Sequence, residues 1–224
     1  MARPPRQNYP GAVQHVAVNG NNRQPMFITD DDRRVCLALL AQTAVMYQWR
    51  VLSYCLMDTH WHLLVETPLG NLPAGMQRMN TAFSRTFNKR HQRSGHSIRH
   101  RYMSLPVESG AHMLELSRYL PLNPVRAGLV SHPEDWPWSS YRVHLGIDRR
   151  PPWIETAWVS RLHDSSQQLR RFVAEGMAEP GPPWAPGSDP TLYASSTGGK
   201  NGSSAPGLGV RSISSPSATA TASP

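Results

Sequence analysis

Two β-rich runs, Arg50 to Met57 and His60 to Thr67, are separated only by Asp58-Thr59, and a helical periodicity lies on either side of the pair. A two-residue turn between extended runs predicts an antiparallel hairpin. Upstream, Asp30 to Asp32 can cap a helix whose apolar positions Val35, Leu39, Leu40 and Met46 recur at near-helical spacing until Tyr47. Downstream of the breaker Pro68-Leu69-Gly70, the stretch from Leu72 to Arg93 spaces Met76, Met79, Phe83 and Phe87 three or four residues apart, the pattern of an amphipathic helix. Gln14 to Val18 reads as a strand before the first helix, followed by the polar loop Asn19 to Pro25, and Arg101 to Val107 reads as a strand after the second helix. The order β-α-β-β-α-β predicts an α+β fold with a ferredoxin-like antiparallel sheet, two helices on one face and the other face free for a site. Ala111 to Leu120 forms an added helix able to cover that free face.

The second strand of the hairpin brings chemistry to one side of the sheet. Successive side chains on a strand point to opposite faces, so His60 and His62 share a face, spaced to grip one ion, while Trp61, Leu63 and Val65 face the core. Three accounts fit such a pair: packed structural histidines, a zinc hydrolase, or a magnesium or manganese phosphoryl-transfer site. The zinc account lacks a third ligand nearby, because Glu66 lies about 13 Å along the strand from His62 at ~3.3 Å per residue. Glu66 and Asp58 read as surface residues or as partners of the ligands. His15, on the first strand, reads as a hydrogen-bonded core histidine that can flank the site.

Charge narrows the choice of partner. The chain carries a formal +8, and all but Lys89 and Lys200 of its 23 cations are arginine, the side chain whose planar fork binds phosphate bidentately and stacks on bases. From residue 178 onward Glu179 and Asp189 cancel Lys200 and Arg211, so the excess belongs to the first 177 residues. No acidic residue falls between Glu66 and Glu108, an interval that holds Arg78, Arg85, Lys89, Arg90, Arg93, Arg99 and Arg101. A nucleic-acid partner is expected. Asn21, Asn22, Arg23 and Gln24 carry groups that read base edges, and Arg85, Lys89, Arg90 and Arg93 recur along one basic helix. His91, His96 and His100 are expected to be solvated or to face phosphate, and the proline-flanked Trp136 and Trp138 to anchor packing rather than stack on bases.

With 224 residues, one domain of ordinary size and a tail are expected. Cys36 and Cys55 lie in apolar runs without a C-x-x-C, as reduced core thiols do. The longest apolar stretch, Val35 to Trp49, is interrupted by Gln42, Thr43 and Gln48 and falls short of a membrane span. A cytoplasmic protein with no membrane partner is expected. From about Gly176 the composition turns to Gly, Pro, Ser, Ala and Thr, too poor in large apolar residues to offset ordering entropy. The expected organisation is a domain over 1–150, a helical extension over 151–177 and a disordered tail over 178–224.

A longer constellation then comes into view. Cys55-Leu56-Met57-Asp58-Thr59-His60-Trp61-His62-Leu63-Leu64-Val65 is followed by Arg118-Tyr119-Leu120-Pro121-Leu122-Asn123-Pro124-Val125-Arg126, with Tyr9-Pro10-Gly11-Ala12 and Trp136-Pro137-Trp138-Ser139-Ser140-Tyr141 on either side. Over about residues 1 to 146, the opening Met1-Ala2-Arg3-Pro4 included, the chain resembles the REP-associated tyrosine transposases, a group of the single-tyrosine HUH transposases. The resemblance implies a bacterial, nucleoid-associated enzyme, monomeric, that cuts and rejoins single-stranded hairpin DNA of palindromic repeat elements through a 5′-phosphotyrosine intermediate. It implies further that Tyr119 is the nucleophile and that His60, His62 and Asn123 hold Mg2+ or Mn2+. Four residues separate Tyr119 from Asn123, which on a helix places both on one face. Tyr102 and Tyr141 have Pro106 and Leu145 at the corresponding place and read as structural.

The chain departs from the family's pattern near the tyrosine. Pro121 is expected to kink the tyrosine helix, and Pro124 to push Asn123 out of α geometry. A kinked helix favours an alternative in which the chain is a catalytically inactive binder of hairpin DNA or RNA. A zinc-dependent hydrolase stands third.

Overall fold

The structure, a computed structural model, describes residues 8–99 and 102–179. The opening Met1-Ala2-Arg3-Pro4, His100 with Arg101, and all of the expected 178–224 tail except its first two residues lie outside the described residues. The elements run β1 (Ala12–Asn19), α1 (Asp30–Tyr47), β2 (Arg50–Leu56), β3 (His60–Thr67), α2 (Leu72–Arg90), β4 (Met103–Pro106), α3 (Gly110–Arg126), α4 (Tyr141–His144), α5 (Ala157–Leu162) and α6 (Ser166–Glu175). Four strands form one sheet in the order β2-β3-β1-β4, each antiparallel to its neighbours. This is the ferredoxin-like arrangement the element order predicts.

The strands are buried on both faces, so each side of the sheet carries its own core. Val16, Val18, Trp61, Leu63 and Val65 meet Leu40 and Ala44 of α1 and Met76, Met79, Phe83 and Phe87 of α2. Leu52 and Leu64 meet Leu116, Tyr119 and Leu120 of α3 and Leu169 and Val173 of α6. The face expected to be free is the one α3 covers. Among the described residues no helix is long and apolar enough to cross a membrane, and Cys36 and Cys55 are buried and unpaired.

Local chemistry sets the helix limits. Thr29, not the aspartates, caps α1: its side chain and that of Asp32 close a capping box, leaving Asp30 to Asp32 in the first turn, where negative charge suits the helix dipole. A Cβ on Gly75 would fall 2.2 Å from Trp49 Cζ2, so glycine there lets α2 close onto that ring. α2 stops at Arg90, short of the expected Arg93, and Gln92 takes the left-handed region with φ 49°.

The clearest difference from expectation is α3, which continues to Arg126 through both Pro121 and Pro124 and keeps Asn123 inside the helix. Each proline deprives a carbonyl one turn earlier of its amide donor. Asn123 answers part of that loss, since its Nδ2 donates to Tyr119 O at 2.7 Å and to Leu120 O at 3.4 Å. Pro121, Leu122 and Pro124 are buried, and this packing favours the helix where its own hydrogen bonding does not.

Residues 157–179 lock onto the same face, whereas Trp153 and Ile154 join the core under α1 and α2. Trp158 Nε1 donates to Leu52 O at 2.9 Å, Ser117 Oγ and His163 Nε2 are 3.0 Å apart, and Arg118 pairs with Glu179 at 2.9 Å.

Candidate functional site: a histidine and tyrosine cluster beneath α3

Alternation along β3 turns His60, His62 and Leu64 toward α3. The cross-strand neighbours of His62 are Ala17 on β1 and Cys55 on β2, small residues that leave room for an imidazole. His15 lies two residues before Ala17, on the same face and diagonal to His62. Its Nε2 is 3.2 Å from His62 Nδ1, with ring centroids 5.3 Å apart. From above, α3 sets the Tyr119 ring edge-on to His62 at 5.5 Å and to His15 at 5.8 Å, and His60 stands perpendicular to His62 at 5.0 Å. Tyr119, His62 and His15 are at most 2 % exposed, whereas His60 is half-buried.

Burial fixes the charge state of the rings. It lowers the His15 pKa to about 3, with His112 adding to the effect. Burial also depresses His62, helped by its His60 and His15 neighbours, and depresses His60 against the opposing pull of Asp58. All three imidazoles are therefore neutral near neutral pH and keep a lone pair to offer. His62 Nε2 is buried without a hydrogen-bond partner, and His60 Nδ1 lies 3.2 Å from Thr59 Oγ1.

An orphaned imidazole nitrogen beside a half-exposed imidazole fits a divalent cation. Among the described residues no three His, Cys, Asp or Glu side chains converge as a ligand set, so an amide oxygen or water has to complete the coordination. Asn123 is half-buried one turn beyond Tyr119, with its amide nitrogen turned onto its own helix. Glu66 is engaged by Arg50 at 2.9 Å.

The turn before His60 is held from three directions. Met26 N donates to Asp58 O and Gly20 N to Thr59 O, both at 2.8 Å. A Cβ on Gly20 would fall 2.4 Å from Gln24 O and 3.1 Å from Thr59 O, a close approach that glycine permits. The Arg33 guanidinium pairs with the Asp58 carboxylate and lies 5.6 Å from the Phe27 and Trp136 ring centroids and 5.7 Å from that of Trp138. Trp136 Nε1 donates to Leu56 O at 2.9 Å, and Leu56 N to Trp138 O at 2.8 Å. Both tryptophans thus anchor packing, as expected. Arg33 escapes a reading of the sequence, because a cation following three aspartates looks like a solvated helix start.

The basic residues divide. Asn19 pairs with His60, so the 3-10 turn Asn21–Arg23 leaves the sheet at the histidine end, with Asn22 at φ 52°. Asn21 N bonds Ser97 O at 3.0 Å and Arg99 N bonds Asn19 O at 2.8 Å, which draws the segment after α2 to the same end. Arg93 reaches Gln24 there. Lys89 and Arg85 are exposed, and Arg85 lines a recess of ≈ 380 Å³ with Asn80, Ser84, Asn88 and His96. Arg90 and His91 instead bind the buried Asp32 carboxylate, at 3.2 and 2.9 Å. His91, expected in solvent or against phosphate, therefore ties α2 to the start of α1. Tyr102 is buried in the core beneath α1 and α2, and Tyr141 in the core that α3 shares with α6.

A structure described as the REP-associated tyrosine transposase bound to a REP hairpin superposes with a TM-score of 0.59 at 16 % identity, covering 69 % of this chain and 94 % of that one. A transposase structure from Deinococcus radiodurans R1 gives 0.38 at 15 % identity over 53 % and 95 % of the chains. The tRNA(His) guanylyltransferase of Saccharomyces cerevisiae gives 0.41 at 8 % identity over 82 % and 83 %. The last two are too distant in shape to bear on this fold. Comparison with curated proteins gave no match. The family described as Transposase IS200 like matches residues 9–121, a span that holds the histidine pair, all four strands and Tyr119, and the chain belongs to that family.

Proposed function

We propose that this transposase is a metal-dependent tyrosine DNA strand transferase, acting as a monomer on single-stranded hairpin DNA of the palindromic-repeat kind. The domain that acts spans about residues 1–150, with 151–177 as an extension docked on it. One observation carries the reading: the Tyr119 ring packs against His62, whose Nε2 is buried and unpartnered. His60 and His62 would hold Mg2+ or Mn2+, with the Asn123 amide oxygen as the third protein ligand. When bound, the cation polarises the scissile phosphate and offsets the charge that develops in the transition state.

Tyr119 Oη then attacks phosphorus in line, and the bond to the 3′ oxygen breaks. The products are a 5′-phosphotyrosine and a free 3′-hydroxyl: the phenolic proton passes to solvent, and the departing 3′ oxygen takes up a proton from solvent in its place. The link conserves the phosphodiester, so a second 3′-hydroxyl can reverse the step and join strands without nucleotide energy. Asn21, Asn22, Arg23, Gln24 and Arg93, at the histidine end of the sheet, are suited to the DNA beside the cleavage position, and Arg85 and Lys89 to its backbone. Arg90 contributes charge from its place on Asp32. Because Tyr119 is buried, DNA has to shift α3 to reach it.

That burial favours a second reading, an inactive binder of hairpin DNA or RNA. Incubation with a labelled DNA hairpin and Mg2+ or Mn2+, followed by denaturing electrophoresis, separates the two. A denaturation-resistant adduct that disappears in Tyr119→Phe is the expected result. Hairpin binding with no adduct under either ion would establish the binder instead.

A further inference from the structure

His15 is the ring in the cluster to which the proposed chemistry gives no part. It is on the central strand β1, 2 % exposed, and its Nε2 faces His62 Nδ1 at 3.2 Å. One proton lies between those two nitrogens, and its position decides what His62 offers on its other side. If His15 donates, His62 carries its proton on Nε2, an N–H buried without an acceptor. A buried N–H and a buried lone pair are both penalised when left unmet, and of the two only the lone pair can be met by a cation. If His62 donates through Nδ1–H, the orphaned Nε2 is a bare lone pair, which is what a metal requires.

We propose that His15 is a positioning residue that accepts the Nδ1–H of His62, thereby holding Nε2 deprotonated and aimed as a metal ligand. The inference rests on the reading of His60 and His62 as a metal site and adds a residue outside the paired-histidine motif. Metal-bound histidines usually donate their second ring nitrogen to a carboxylate, a carbonyl or water. Here a neutral imidazole takes that place, and the 3.2 Å contact supplies the same restraint on ring and tautomer. The pairing depends on register: Ala17 lies opposite His62, so only a residue two positions away on β1 reaches it diagonally on that face. Thr59 Oγ1 stands at 3.2 Å from His60 Nδ1, so each member of the pair has its Nδ1 engaged.

Two measurements on the full chain test the assignment. Long-range 1H–15N correlation spectra of the metal-free wild type should show His62 as the Nδ1–H tautomer, the less common form of a free imidazole. Titration with Mn2+ should give a dissociation constant raised roughly 10- to 100-fold in His15→Phe, the range found when such partners are removed. His15→Gln, which returns an acceptor oxygen, should recover most of the affinity. An Nε2–H tautomer of His62 in the wild type overturns the proposal, whether or not His15→Phe folds. Unchanged Mn2+ affinity in His15→Phe, with binding lost in His62→Ala, overturns the role of His15 alone. Mn2+ binding unchanged in both variants overturns the metal reading beneath it.

Discussion

On the face packed against α1 and α2, the central strands contribute Val16, Val18, Trp61, Leu63 and Val65, an apolar layer bordered by the buried Gln14 and Thr67. On the face under α3, the same strands contribute His15, His60 and His62, with apolar residues resuming at Leu64. Both layers are largely closed to solvent, yet only one is built for stability. Three neutral imidazoles under a helix cost desolvation that aliphatic side chains would not, and one of their nitrogens has no hydrogen bond. β3 is therefore one strand with two tasks, kept apart by the two-residue period of the pleat.

The strongest challenge to that division is Trp61→Ala on the apolar side. Chemical denaturation should show a loss of about 3–5 kcal/mol, the usual result of deleting a large buried aromatic ring. Tyr119→Phe, on the opposite face, should change stability by less than about 1 kcal/mol while abolishing the DNA adduct. A catalytically silent, strongly destabilising Tyr119→Phe would erase the distinction between the faces.

A smaller effect concerns Asp32, the acid that couples α1 to α2 on the stability side. Burial alone pushes its carboxyl upward, but hydrogen bonding from His91 and from the Thr29 and Ile28 amides outweighs this and holds it below the usual carboxylate value. A depressed folded pKa gives stability that is present above the unfolded value near 4 and is lost as pH falls through the folded value. Asp32→Asn should therefore be less stable than wild type at neutral pH, with the gap closing as pH falls below about 4. A gap that stays constant with pH would detach Asp32 from its Arg90 and His91 partners.

The weakest response is expected from the exposed cations. Removing Arg85 and Lys89 together should leave folding unchanged and flatten the salt dependence of hairpin binding, by about 0.7 in the logarithmic slope for each single-strand phosphate that is no longer neutralised. Fluorescence anisotropy at a series of salt concentrations reads this directly. An unaltered slope would move the DNA path off α2.

How far sequence reaches into this molecule differs between the two faces as well. The spacing of Met76, Met79, Phe83 and Phe87 and the alternation of His60 to Val65 are local patterns, and both reappear as a buried helix stripe and a two-faced strand. The course of α3 is less legible, because Pro121 and Pro124 argue locally for a break that burial against β2 and α6 overrides. His15 is hard to weigh for a related reason: its importance comes from lying diagonal to His62, and that register exists only once β1 and β3 pair. Arg90 and His91 read as part of a cationic face because Asp32, which engages them, lies 58 and 59 residues earlier.

The proposed chemistry turns on Tyr119, carried by α3 and set beside His62, as the residue that would bond covalently to DNA. Protease digestion of a trapped adduct, with mass-spectrometric mapping of the modified peptide, locates that bond. A nucleotide remnant on Tyr119 is the expected result. A remnant on Tyr102, Tyr141 or any other residue would contradict the assignment.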